Sequence, residues 1–413
     1  MKKGWEMKKL GDVCEYKSGT TISPSLEKSE GDLIYVKVGD MNLEGNEDFI
    51  TTSSRYVDSK SIKKSQIIPE GAIIFPKRGG AIATNKKRRI ISPTIVDLNT
   101  MALVPGKAID KDYLFFWFKQ IDLSELSNGT SIPQINNYSF ENIFITYPKS
   151  HAEQQQIVSI LDEAFAAIEQ AKENVRRNLQ NAKELFQSEL NSIFSKKGDG
   201  WVEKKLGDKS IIEIVDGDRG VNYPKKEDFR NEGYCVFMNT GNVRIDGFVF
   251  SEVMFITKDK DEKLRKGKLK RNDVIMTTRG TIGNLGVYDD KVKFEHIRIN
   301  SGMLIFRPNL KFVHPQYLFE LLRSSIIKEQ IKKHVSGAAQ PQLPIGTLIH
   351  FTFPLPETID AQMEIVKKLT ILSAETRRLK AKYQQKLNSL DELKESILQR
   401  AFSGELTARE VIA

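Results

Sequence analysis

The chain has 413 residues, with 63 Lys and Arg against 54 Asp and Glu, and a net charge of +9 that permits a polyanionic partner without requiring one. Its length calls for two or three domains. Two cysteines, Cys14 and Cys235, exclude a disulfide framework or cysteine zinc cluster and point to a reducing cytoplasm. The basic start lacks a signal peptide's apolar run, and "YLFFWF" (113–118) is too short to span a bilayer.

The octet "WEMKKLGD" (5–12) opens the first half, followed by strand-like runs "LIYVKV" (33–38) and "AIIF" (72–75). The loop "PKRGGAIATNKKRR" (76–89) gathers Lys77, Arg78, Lys86, Lys87, Arg88 and Arg89 around Gly79. Such cations can neutralise phosphates, and glycine lets a loop approach a groove closely. A solvated hairpin face has the same composition. "DYLFFWFKQI" predicts an amphipathic helix, and "NGTSIPQI" (128–135) a glycine turn carrying Gln134. That amide either reads an adenine edge or holds the loop, the second role being favoured. Residues 150–197 predict one long helix. Ser150 is its N-cap, Glu153 completes a capping box, Lys196 and Lys197 occupy the last turn, and Gly198 stops it. Within it Ile157, Leu161, Ala164, Ile168, Ala171, Val175, Ala182 and Leu185 follow the three-four spacing of a coiled-coil seam, which Asn178 and Glu189 interrupt.

At 201–208 the chain begins again with "WVEKKLGD". Strand-like runs "YCVFM" (234–238), "DVIM" (273–276) and "GMLIF" (302–306) follow. The basic run "KLRKGKLKRND" (263–273) holds Lys268, Lys270 and Arg271, and Arg279-Gly280 comes after it. A helix opened by Pro315 is predicted through "PQYLFELLRSSIIKEQIKK", and "SGAAQPQL" (336–343), with Gln342, matches "NGTSIPQI". A second long helix spans 358–404, with a poorer cap at Thr358. Its seam is Ile365, Leu369, Leu372, Leu379, Tyr383, Leu390, Leu393 and Ile397, with Thr376 the polar exception.

These matches describe a tandem duplication whose repeat is too long for a solenoid. The expected parts are a first domain (1–149), its helix (150–197), a second domain (198–357), its helix (358–404) and a tail (405–413). Many short strands among few helices read as α+β. Each long helix covers about 44 residues, or roughly 66 Å, and its apolar stripe needs a cover. A domain of about 155 residues has a radius of gyration near 15 Å and cannot easily carry the chain back for a parallel start. The two helices are therefore expected to pair antiparallel within the chain, about a pseudo-twofold axis. The sequence holds no Walker A, Rossmann or amino-methyltransferase motif, and its five histidines lack metal-ligand spacing. "DEK" (261–263) is read as part of a charged run. No catalytic, cofactor or metal residue is assigned.

The Trp-x-x-x-x-Leu-Gly-Asp opening, Arg-Gly turn, Gly-x-x-x-Pro-Gln-(Leu/Ile) loop, "AEQQQIVSILD" helix start and "ESILQRAFSGELT" (395–407) ending, in duplicated order, make the whole chain resemble the specificity subunit of type I restriction–modification systems. The resemblance implies two target recognition domains, each reading half of a bipartite site on double-stranded DNA. It implies an antiparallel coiled coil that spaces them and docks two modification (methyltransferase) subunits. Restriction/translocase subunits join some such complexes. S-adenosylmethionine then belongs to the modification subunits and ATP to the restriction subunit, with no cofactor in this chain. Divergence between the domains implies an asymmetric site. Two other readings stay open: a coiled-coil scaffold with protein-binding globular ends, and an enzyme with an unrecognised active site.

Overall fold

The computed structural model of the chain describes residues 2–128, 132–196, 198, 200–245, 247–334 and 342–407. Lys197, expected in the last turn of the first long helix, lies outside them. The chain divides into two compact units, Met1–Val175 with Gln385–Ala413, and Arg176–Gln384. This division differs from boundaries drawn at the helix ends, because each globular body packs against one half of each long helix.

Both bodies are α+β. The first has a five-stranded sheet in the order Cys14–Ser18, Thr100–Pro105, Ile73–Pro76, Arg88–Ile90, Phe49–Ile50, and a three-stranded sheet of Tyr56–Val57, Leu33–Val36 and Thr94–Val96. The second has a four-stranded sheet, Ile212–Asp216, Met303–Pro308, Val274–Thr277, Leu285–Val287, and a three-stranded one, Met254–Ile256, Cys235–Met238, Ile297–Ile299. Strand side chains alternate between faces, and here both faces are covered. Ile73, Phe75, Met101 and Leu103 join the core under the helices, while Ile74 and Ala102 join a second core on the opposite face. In the second body Val274, Met276, Leu304 and Phe306 face one core, and Ile275, Met303 and Ile305 the other.

The repeated octets have a structural cause. Trp5–Lys9 pairs antiparallel with Phe144–Pro148, and Trp201–Lys205 with Thr352–Pro356. Each octet lays the entering chain beside the strand that leaves for a long helix, and Leu10 and Leu206 behind them are fully buried.

A buried glutamine completes each junction. Gln154, in the first turn of its helix, donates to the carbonyls of Ala108 (3.0 Å) and Pro148 (2.8 Å) and accepts from the Asp110 N–H (2.6 Å). Gln362 donates to the carbonyls of Phe312 (2.8 Å) and Pro356 (3.1 Å) and accepts from the His314 N–H (2.8 Å). Asp110 and His314 are the N-caps of the short helices Lys111–Lys119 and Pro315–Leu322. Tyr113 and Tyr317, within those helices, donate to the Thr146 and Pro354 carbonyls at 2.9 and 2.7 Å. The helix predicted to continue past Leu322 breaks and resumes as Ser325–His334. There the Ser324 hydroxyl donates to the Leu321 carbonyl and the Ser325 N–H to Asn191 Oδ1.

The long helices are His151–Ser195 and Ile359–Ser403. The expected capping box of the first does not form as such. The Glu153 carboxylate accepts instead from the Trp5 indole (3.0 Å), Lys2 (2.9 Å) and Thr407 (2.9 Å), gathering both ends of the chain at one oxygen. In the second, Thr358 Oγ1 accepts from the Ala361 N–H. Gly404, at φ +86°, stops that helix, and the N–H groups of Glu405 and Leu406 bond back to the Arg400 carbonyl.

Of the predicted seam, Ile157, Leu161, Ile168, Val175 and Leu369 are buried, and Ile365, Leu379 and Tyr383 are half-buried. Leu185 and Leu393 are 54% and 47% exposed, which corrects the register there. The stripe passes one residue later, through Phe186 and the stem of Lys394. Consecutive steps of four (157–161–165 and 182–186–190–194) break the strict heptad, and since each overshoots a full turn by about 40° the buried stripe drifts around the helix there. In the first unit Glu169 pairs with Lys394 and Lys172 with Asp391, so the helix halves run antiparallel. The Lys394 ammonium lies 4.8 Å from the Phe165 ring centroid. In the second unit Phe186, Leu190 and Phe194, near one helix's end, share a core with Leu369 near the other's start.

Two outcomes are expected. Phe186→Ala should lower stability by about 3–5 kcal/mol, while Leu185→Ala should stay within about 0.5 kcal/mol, both read by denaturant unfolding. Gln362→Leu, which orphans three backbone groups, should destabilise its unit by several kcal/mol at about 1–3 each, with hydrogen exchange rising first at His314 and the start of the second long helix.

Candidate nucleic-acid interface

The basic run of the first body is largely turned inward. Lys87 is 5% exposed and donates to the Ile121 carbonyl (2.6 Å) and Asn85 Oδ1 (2.8 Å). Burial lowers its pKa to about 8 from 10.5, with partial compensation from Asp122. Arg88 donates to the carbonyls of Lys87 and Met41. Arg89 pairs with Asp112 and stacks 4.6 Å over Phe49. Lys86 is half-buried and bonds Asn42. A continuous phosphate-binding face over Lys86–Arg89 is therefore not what these side chains form. Alternation along the strand Arg88–Ile90 and the left-handed Asn85 before it (φ +50°) draw the cations onto carbonyls and rings.

The second basic run divides similarly. Lys268 pairs with Asp261, the first residue of the "DEK" triplet. Asp261 is itself fully buried, and Arg298 also donates to its carboxylate. Asp261 is thus an internal charge anchor on the short helix Lys258–Lys263, while Glu262 and Lys263 beside it are exposed. Arg271 lies 4.2 Å over the Tyr288 ring and donates to the Val292 carbonyl at 3.0 Å. Lys270 is exposed.

The Arg-Gly turns and Pro-Gln loops, distant in sequence, meet. Arg78 forms an antiparallel bridge with Gln134, and Arg279 with Gln342. In the first body the Gly79 N–H donates to the Pro133 carbonyl (2.8 Å) and the Ile135 N–H to the Lys77 carbonyl (2.9 Å). In the second the Leu343 N–H donates to the Thr278 carbonyl at 3.0 Å, the equivalent bond. All four side chains are exposed. The Gln134 backbone, not its side chain, holds the loop, through Asn128 at 2.9 and 3.1 Å. Gly79 and Gly280 follow the arginines at φ +71° and +69°, a conformation suited to glycine, with open space where a Cβ would stand. Lys77, half-buried behind Arg78, has its pKa lowered mainly by burial.

Sequence reasoning passed over Arg219. It donates to Asp216 and the Ser301 carbonyl and lines a cleft of about 200 Å³ with Arg279 and Gln342. The signal for it was the strand-ending "DGDRG" (216–220), where Asp218 accepts from the N–H groups of Gly220 and Arg265. Among the described residues no group of His, Cys, Asp and Glu is arranged to hold a metal, and no helix is long and apolar enough to cross a membrane.

Two homologous bodies, each presenting an exposed Arg–Gln pair and each closed onto long antiparallel helices, define a duplicated recognition protein. A family model described as the type I restriction modification DNA specificity domain matches residues 2–176 and 198–389, and the chain belongs to that family. It is 26% identical over 387 residues to the type I restriction enzyme MjaVIII specificity subunit of Methanocaldococcus jannaschii, covering 88% of this chain and 85% of that protein. It shares its fold with the HsdS subunit from Thermoanaerobacter tengcongensis, at TM-score 0.63, 18% identity, and 98% and 97% coverage. A chain from a structure of type I R-M complex assembly and conformational transition has the same fold, at TM-score 0.74, 17% identity, and 98% and 99% coverage.

Lys87 offers a check on the inward-turned run. Its folded pKa, about 8, lies below its ordinary 10.5, so between those values the unfolded chain binds the extra proton. Wild-type stability should therefore gain over that of Lys87→Met as pH rises through this window. Paired urea titrations across the window read the difference. The salt dependence of DNA binding should be the same in both proteins.

Proposed function

We propose that this chain is the non-catalytic DNA-recognition subunit of a type I restriction–modification complex, acting in the cytoplasm. The observation that carries this reading is the family match over both halves of the chain. It favours recognition over a protein-binding scaffold. Each body binds one part of a bipartite site on double-stranded DNA. The bodies share a framework but differ in their loops, Gly-Gly-Ala-Ile-Ala-Thr (79–84) against Gly-Thr-Ile-Gly-Asn (280–284), and this supports an asymmetric site. Two modification subunits bring S-adenosylmethionine and the methyl-transfer chemistry. A restriction/translocase subunit, where present, brings ATP.

Mapping methylated adenines in cells that carry this chain with its modification partner tests the reading. The expected product is an asymmetric motif in two parts. Exchanging residues 79–84 should change one part and leave the other as it was. A continuous motif, or change in both parts, would contradict two independent readers. Methyl transfer by the purified chain alone would contradict the subunit reading.

A further inference from the structure

The two bodies differ in most of their loop chemistry, yet one constellation recurs in both. An exposed arginine stands directly across an isolated antiparallel bridge from an exposed glutamine, Arg78 with Gln134 and Arg279 with Gln342. In the first body the flanking bonds, Gly79 N–H to Pro133 and Ile135 N–H to Lys77, make the pair a non-hydrogen-bonded one. In that geometry the two side chains leave the same face with their Cβ atoms about 4.5–5.5 Å apart. A glycine with open space beside it follows each arginine. Most neighbouring cations are occupied with carbonyls, carboxylates or rings. Among the described residues neither Arg78 nor Arg279 has an ion pair, and neither glutamine has a side-chain hydrogen bond.

We propose that this Arg–Gln pair is a phosphate anchor, one per body, that grips the DNA backbone without reading its sequence. The inference rests on the DNA-recognition reading above. A guanidinium presents a fork of donors that fits a phosphate bidentately, and the adjacent amide N–H groups supply a further donor. The decisive consideration is the repetition. A pair that is the same in both bodies cannot distinguish two different half-sites, and the phosphodiester is what all DNA sequences share. Base reading then falls to the parts that differ, such as the loop around Arg219, which Asp216 holds in the same cleft that Arg279 and Gln342 line. The arrangement fixes each body's register on the duplex while leaving the surrounding loops free to discriminate.

The test uses the full chain with its modification partner, a mixed-sequence linear duplex, and a duplex carrying the motif found by methylation mapping. Arg78→Ala with Arg279→Ala should lower affinity for both duplexes by the same factor. The slope of log affinity against log salt should shrink by about 1.8, at about 0.9 for each phosphate no longer neutralised. Gln134→Glu with Gln342→Glu, which sets carboxylates against the phosphates, should weaken both duplexes alike. Arg78→Gln with Arg279→Gln serves where the alanine variant melts early, with the same slope expected. An unchanged slope with a relaxed preference for the motif would make these side chains base readers and overturn the proposal. Unchanged affinity and slope beside a normally binding wild type would overturn it too, leaving the recognition reading intact. A wild-type complex with no salt-sensitive DNA affinity would overturn both.

Discussion

One buried side-chain amide in each unit fixes where a long helix leaves its globular body. Gln154 and Gln362 each satisfy two carbonyls and one N–H contributed by three segments: the connection before a short helix, that helix's N-cap, and the end of the strand beside the repeated octet. Burying an amide without partners is costly, so these positions accept little else once the segments have converged. Because one side chain serves all three, the helix direction, the short helix and the closing strand are set together. The tyrosines at 113 and 317 reinforce the same junction from the core side.

Around that constant framework the two units deploy their charge differently. In the first, Lys87, Arg88 and Arg89 stitch a strand to neighbouring backbone and aromatic groups. In the second, Arg298 and Lys268 converge on Asp261, and Arg307 makes a two-point contact with the buried Asp273 at 2.8 and 2.9 Å. Burial raises the Asp273 pKa, and the Arg307 contact offsets part of that rise. The basic runs of these bodies are thus partly internal wiring, while other cations, such as Lys63, Lys107, Lys266 and Lys270, face solvent.

Much of this was legible in the sequence. The duplicated octets, the glycine turns and the two long helices follow from pattern alone, because caps, stops and three-four spacing are local properties. The α+β character follows from many short strands among few helices. What escaped is non-local. "AEQQQIVSILD" places three glutamines in a row, and nothing in it marks Gln154 as buried while Gln155 and Gln156 face water. Leu185 suits the heptad pattern, yet it is Phe186 that joins the core of the second unit, with the Arg323 guanidinium 4.8 Å over its ring. Lys87 looks like its basic neighbours until Asn85 turns the chain and points it at the Ile121 carbonyl.

The octet strands have one more consequence. Since Trp5–Lys9 lies against Phe144–Pro148 and Trp201–Lys205 against Thr352–Pro356, the chain enters and leaves each globular body at the same place. Everything between those two points is, in effect, a closed loop hung on a two-stranded clasp. Another body with the same clasp fits without rethreading the chain only where its core also matches the helix faces it shares, Ile157, Leu161 and Phe402 in the first and Phe194 and Leu369 in the second.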